Sequence, residues 1–225
     1  MDDLIAFAAV ELAARADPEK AAGMATYLKT DMPFYGVQKK GRTEVFREMN
    51  KRFPIGDAAT YRAAIEALWA QPHREEKYLA VGIAKRYPDF LTFDNFDVYR
   101  RLIVEGAWWD FVDEVAINCV GIVYLNERER TESTIEAWID DEVMWLRRTS
   151  LISPIKHKTA TDHERLFDHC LRRAGEKEFF IRKAIGWTLR EYAKTEPDRV
   201  AGFLLQHRDV WSGLSFREAS KHLDI

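Results

Sequence analysis

The chain has 225 residues, 47% hydrophobic and 32% charged, which excludes a disordered or low-complexity protein and suffices for one hydrophobic core or one array of stacked helical repeats. Its formal net charge of −3 excludes a uniformly basic nucleic-acid binder, and no segment nears the roughly 18–20 uninterrupted apolar residues of a membrane span. Cys119 and Cys170 form no C-x-x-C pair and the Met1-Asp2-Asp3 start is acidic, so the expectation is a reduced cytoplasmic compartment, with no metal site and no secretory leader.

Helical periodicity runs almost throughout, and no alternating strand stands out. The pattern predicts helices over 2–15, 18–30, 42–52, 59–70, 73–87, 94–106 and 109–118. It continues with 120–128, 133–140, 142–153, 162–174, 177–194, 198–207 and 215–223. Start signals recur. Asp17-Pro18 sets a capping residue before a proline at the first helical position, and Pro72 and Pro197 mark two further expected helix starts. Ser133-x-x-Glu136, Thr161-x-x-Glu164 and Ser215-x-x-Glu218 each match a capping box. Many short helices with short links predict an all-α single domain over 1–225. Helix pairs every roughly 30 to 45 residues fit a degenerate HEAT-like solenoid, and an irregular bundle fits the periodicity too.

Two segments carry candidate chemistry. In Trp108-Trp109-Asp110-Phe111-Val112-Asp113, Trp109 and Asp113 are four residues apart and share a helical face. An indole beside a carboxylate suits a cationic ligand. The same residues also fit a core tryptophan pair and an aspartate cap. In Phe179 to Lys194, Ile181, Ile185, Thr188 and Tyr192 form a core face, while Lys183, Trp187, Arg190 and Lys194 line another. A tryptophan inside a cationic stripe fits a nucleic-acid surface or a solvated face.

The charge distribution sharpens this. Residues 147–194 hold twelve Lys/Arg against six Asp/Glu, a local balance of +6 that leaves −9 for the rest. Such a segment can present a phosphate-binding surface despite the acidic average. Arg147-Arg148 and Lys156-His157-Lys158 belong to it, and Arg148 has the fork geometry for a phosphate. Met32 to Arg42 reads as a turn with three cations. P-loop, dinucleotide-glycine and G-x-S-x-G signatures are lacking, and the six histidines show no metal-ligand spacing.

Together, Tyr27-Leu28-Lys29, Phe34-Tyr35-Gly36-Val37, Leu68-Trp69, Trp108-Trp109-Asp110 with Val112-Asp113, Trp145-Leu146-Arg147-Arg148, Lys177 to Lys194 and Lys221-His222 resemble the bacterial DNA alkylation repair glycosylases of the AlkD type. The resemblance runs from about residue 24 to about 223, and the Phe179 to Lys194 stretch is its most specific part. It implies a superhelical solenoid of tandem HEAT-like repeats with a concave groove for duplex DNA. It implies hydrolysis of the N-glycosidic bond of N3- and N7-alkylated purines such as 3-methyladenine and 7-methylguanine, without a base pocket. Carried over by position, Asp113 is the catalytic carboxylate, and Trp109 and Trp187 flank the lesion's deoxyribose. Tyr27, Arg148, Lys156 and Arg190 are DNA contacts. No cofactor or metal is implied, and a monomer acting on double-stranded DNA is expected. The competing expectation is a HEAT-like scaffold that binds DNA or protein without chemistry.

Overall fold

A computed structural model describes residues 1–225, all of them in helices, turns or irregular links, with no β-strand. The all-α reading therefore holds. The chain divides into two compact units, Met1–Phe90 and Leu91–Ile225. No helix is long and apolar enough to cross a membrane.

The first unit contains α1 (Asp2–Ala13), α2 (Pro18–Leu28), α3 (Lys39–Arg52), α4 (Ala58–Trp69) and α5 (Arg74–Arg86). Asp17 caps α2 through the Lys20 amide, with Pro18 at the first position as the sequence predicts. Leu4, Ala8, Leu12, Val45, Met49, Tyr61, Ile65, Leu68, Leu79 and Ile83 recur at helical spacing and are buried. α5 starts on three buried charged residues, Arg74, Glu75 and Glu76. The Glu75 carboxylate accepts hydrogen bonds from three consecutive main-chain amides, Tyr35 (3.0 Å), Gly36 (2.8 Å) and Val37 (2.9 Å). Gly36 has φ +88°, and a Cβ there would lie 2.0 Å from the Asp17 carbonyl oxygen, so only glycine fits.

The second unit contains α6 (Phe96–Gly106), α7 (Trp109–Val115), α8 (Gly121–Asn126), α9 (Arg128–Trp138) and α10 (Met144–Ile152). It continues through α11 (His163–Arg173), α12 (Phe179–Ala193), α13 (Pro197–Gln206) and α14 (Gly213–Ala219). A π-helical turn, Ala116–Val120, joins α7 to α8. A 3-10 turn, Ser153–Lys156, extends α10. Ile181, Ala184, Ile185, Leu189 and Val200, with Leu151, Leu166 and Cys170, form its core.

The three expected capping boxes do not start helices. Asp162 caps α11 through the Arg165 amide, Ser212 caps α14 through the Ser215 amide, and Ser133 lies within α9. The one capping box is His73 with Glu76, where a histidine takes the place of the usual hydroxyl.

α9 and α11 are joined by an ionic network. Arg165 pairs with Glu132, and Arg172 with Glu136 and Asp140. Arg173 reaches Asp140 at 2.6 Å, and the buried His169 Nε2 lies 3.0 Å from Glu136 Oε2. The His169 hydrogen bond and Arg172 hold Glu136 below the usual carboxylate range, while burial pushes His169 below the usual histidine range. Both shifts have the same sign: the unfolded chain takes up protons first, so this stability is present above the ordinary ranges and is lost on acidification. The thermal midpoint is expected to fall as pH drops from the histidine range into the carboxylate range, and Glu136→Gln to flatten the acid part. Calorimetry across that span checks it, and an unaltered slope in the variant would refute it.

Candidate active site

Asp113 sits at the middle of α7, one turn after Trp109 on the same face. Phe111, Val112, Val115, Ala116 and Cys119 around them are buried. This packing anchors the short helix and leaves Trp109 and Asp113 half-buried. Trp108, which precedes α7, does not join them. Its ring packs edge-to-face on Trp145 and Phe180, at 6.1 Å and 5.5 Å between centroids, so Trp108 is the packing tryptophan of the pair.

The carboxylate has one dominant partner. Arg148 of α10 donates from Nε to Asp113 Oδ1 at 2.7 Å and from Nη2 to Oδ2 at 2.8 Å. Its remaining nitrogen, Nη1, donates to the Phe180 carbonyl at the start of α12, at 2.5 Å. One guanidinium thus ties α7, α10 and α12 together. The side chains are 5% (Arg148) and 17% (Asp113) exposed. Burial pushes Asp113 above the usual carboxylate range. The Arg148 hydrogen bonds and charge oppose that push, and the nearby Asp110 and Glu114 add to it.

In the free chain the Arg148 fork, whose geometry also suits a phosphate, is occupied by Asp113. Two of its nitrogens are committed to Asp113 and the third to Phe180, at a position 4% exposed. Sequence spacing does not reveal the pair, since the two residues are 35 apart. A signal does exist: in Met-Trp-Leu-Arg-Arg-Thr-Ser-Leu-Ile, Arg148 falls three after Trp145 and four before Ile152, on the apolar face. A cation there needs a buried acid.

Trp187 lies two turns after Phe180 on α12, half-buried against the core of the second unit. The cations of its stripe are not free. Lys183 Nζ and Arg190 Nη1 grip the two oxygens of Glu218 on α14, at 3.0 Å and 2.6 Å. Gly186 makes room for that acid, since a Cβ there would meet Glu218 Cβ at 2.4 Å. Lys194 pairs with Glu191. Lys156 Nζ is exposed and donates to Asn118 Oδ1 at 2.6 Å. Much of the +6 balance of 147–194 is thus matched by acids outside the segment: Asp113, Glu132, Glu136, Asp140 and Glu218. Lys158, Lys177 and Arg182 have no carboxylate partner. Tyr27 lies in the first unit at the end of α2, with 74% of its surface exposed.

Residues 8–223 match the family described as "DNA alkylation repair enzyme". The chain belongs to this family. A solved member-like structure, a predicted DNA alkylation repair enzyme from Enterococcus faecalis, superimposes with a TM-score of 0.85 at 28% identity, covering 93% of this chain and 97% of that one. AlkD2 from Streptococcus mutans gives 0.65 at 14% identity, over 91% and 100% of the two chains, and so supports the family fold alone. The smu.31 protein from Streptococcus mutans UA159 gives 0.61 at 14% identity, over 83% and 99%. No curated protein matches the chain significantly. Family membership makes alkylation-damage repair on DNA the setting in which the Asp113–Arg148 pair is to be understood.

Proposed function

We propose that this protein is a DNA glycosylase that hydrolyses the N-glycosidic bond of cationic N3- and N7-alkylpurines in duplex DNA, the first step of base excision repair. The observation that carries the proposal is the buried Asp113–Arg148 pair beside a half-buried Trp109. Such a pair is a poor way to gain stability, because its desolvation rivals its attraction. A carboxylate perturbed by burial and one specific cation is what a site stabilising developing positive charge requires.

The chemistry needs little else. Alkylation at N3 or N7 leaves the purine cationic. When the C1′–N bond breaks, its electron pair goes to the base, which departs neutral without a general acid. The sugar becomes oxocarbenium-like, and Asp113 stabilises that charge and orients the water that adds to C1′. The water's lost proton passes to the carboxylate or to solvent. Trp109 and Trp187 are the walls of this space and contribute cation–π attraction of about 1–2 kcal/mol each when desolvated. Arg148 keeps Asp113 ionised despite burial. Selectivity then follows lesion charge and bond lability, without a flipped-base pocket.

In this reading the chain acts as one 1–225 functional domain, a monomer acting on double-stranded DNA. Tyr27, Lys156 and Arg190 contact the backbone, with Arg190 exchanging Glu218 for a phosphate. The compartment is the cytoplasm. The test is incubation with duplex DNA carrying 7-methylguanine or 3-methyladenine and detection of free base. Release from these, with none from a neutral lesion such as uracil, is expected. Efficient release of uracil and none of 7-methylguanine would overturn it.

A further inference from the structure

The π-helical turn Ala116–Val120 lies directly between Asp113 and α8, and the rod α7–π–α8 runs on without a break, with right-handed helical angles at Val115, Ala116, Val120 and Gly121. The amide of Gly121 bonds five residues back, to Ala116. A π-turn is a rare and less stable form of helix, so something outside it must hold it. Relaxing it to an α-helix while either end stays put would advance the other end by one residue. That is a rotation of about 100° about the rod axis.

Two clasps hold this rod to α10 and its 3-10 extension. At the Asp113 end is the Arg148 fork. At the other end, eight residues on, the backbones nearly touch: a Cβ on Gly121 would lie 2.2 Å from the Ser153 carbonyl oxygen. There His157, 4% exposed, bonds through Nε2 to the Gly121 carbonyl at 2.7 Å. A carbonyl only accepts, so Nε2 carries the hydrogen. Between the clasps Lys156 Nζ bonds Asn118 Oδ1, and the Asn118 amide bonds the Glu114 carbonyl at 2.9 Å. The buried His157 Nδ1 makes no hydrogen bond, so Nε2 carries the ring's hydrogen bonding, while its face packs near Tyr124 at 5.3 Å between centroids.

We infer that His157 is a positioning residue for the proposed reaction: by fixing Gly121 it locks the π-turn and so sets the rotation of α7 that presents Asp113 to its site. It touches neither substrate nor Asp113. The inference rests on the glycosylase reading for its rate measurement only.

The test compares His157→Phe, which keeps the ring volume and loses the donor, with His157→Gln, which keeps a donor. Single-turnover release of 7-methylguanine is expected to fall about tenfold or more in H157F, because small misplacements of a catalytic group cost that much. The Kd for the same duplex is expected to stay within about twofold, the signature of an aiming defect. H157Q recovers part of the rate. Gly121→Ala, which forces the same clasp apart from the other side, is expected to repeat the split and serves if H157F does not fold. The second readout needs no activity: the Nε–H of Arg148, which donates to Asp113 Oδ1, is expected to exchange with solvent faster in H157F than in the wild type when followed by NMR. If the wild type releases no base yet this signal responds, the glycosylase reading falls and the clasp stands. A folded H157F or G121A with wild-type rate and an unmoved Arg148 signal overturns the inference. So does a rate loss matched by an equal loss of DNA affinity.

Discussion

Asp113→Asn is expected to cut release of 7-methylguanine about a hundred- to a thousandfold, the usual cost of removing a preorganised electrostatic partner of the transition state. Asparagine keeps the shape and can still accept one hydrogen bond from Arg148, so the fold survives. DNA binding is expected to hold or tighten, because the variant removes a negative charge from a protein that binds a polyanion. Base release and a binding isotherm at fixed salt check both halves. Near-wild-type release in the variant would remove Asp113 from the catalytic role.

Arg148→Met is expected to act differently, and in two ways at once. It strands a buried carboxylate, which costs about 3–5 kcal/mol at neutral pH, or a fall in thermal midpoint of roughly 2–4 °C for each kcal/mol in a chain of this size. It also removes the only influence that opposes the upward push of burial on Asp113. The proposed chemistry uses the ionised carboxylate, so activity is lost as pH falls through the range where Asp113 takes a proton. Without Arg148 that range lies higher, and the acid limb of the pH–rate profile moves toward neutrality. The double variant D113L/R148M is expected to regain much of the stability with no activity, since an apolar pair of similar volume replaces a buried ion pair at little cost. An acid limb that stays in place in R148M would show that Arg148 does not keep Asp113 charged.

Helix existence was legible because apolar residues at helical spacing make faces that must be buried, and Ile181, Ile185, Thr188 and Tyr192 are buried as their spacing predicts. Boundaries were less so where the usual chemistry is missing. α3 begins at Lys39 rather than 42, with no side-chain cap and cations in its first turn, so its start carries no signal. α9 begins at Arg128 rather than 133 because Glu127, without a side-chain cap bond, opens it. The π-turn was invisible, since one extra residue hardly changes a run of apolar residues such as Val115, Ala116, Ile117, Cys119 and Val120.

Within the site, Trp109 and Asp113 were legible because four residues on a helix fix their common face. The Asp113–Arg148 fork was not, because only tertiary packing brings together residues of different helices. The same blindness misled the charge count. The excess of 147–194 was genuine, but Glu218 and Glu136 answer it from other helices, and a sum along the sequence does not see across space.

The Glu75 carboxylate has a consequence for how the first unit tolerates change. Its three bonds go to main-chain amides of residues 35, 36 and 37, groups that nearly every amino acid supplies. The loop's course is therefore written in Glu75 and in the missing side chain of Gly36, with Tyr35 adding a stack on His73 and a hydroxyl bond to Glu76 and Val37 a buried side chain. A lost acid at 75 or any side chain at 36 would leave the backbone there without a template, whatever side chains stand beside it.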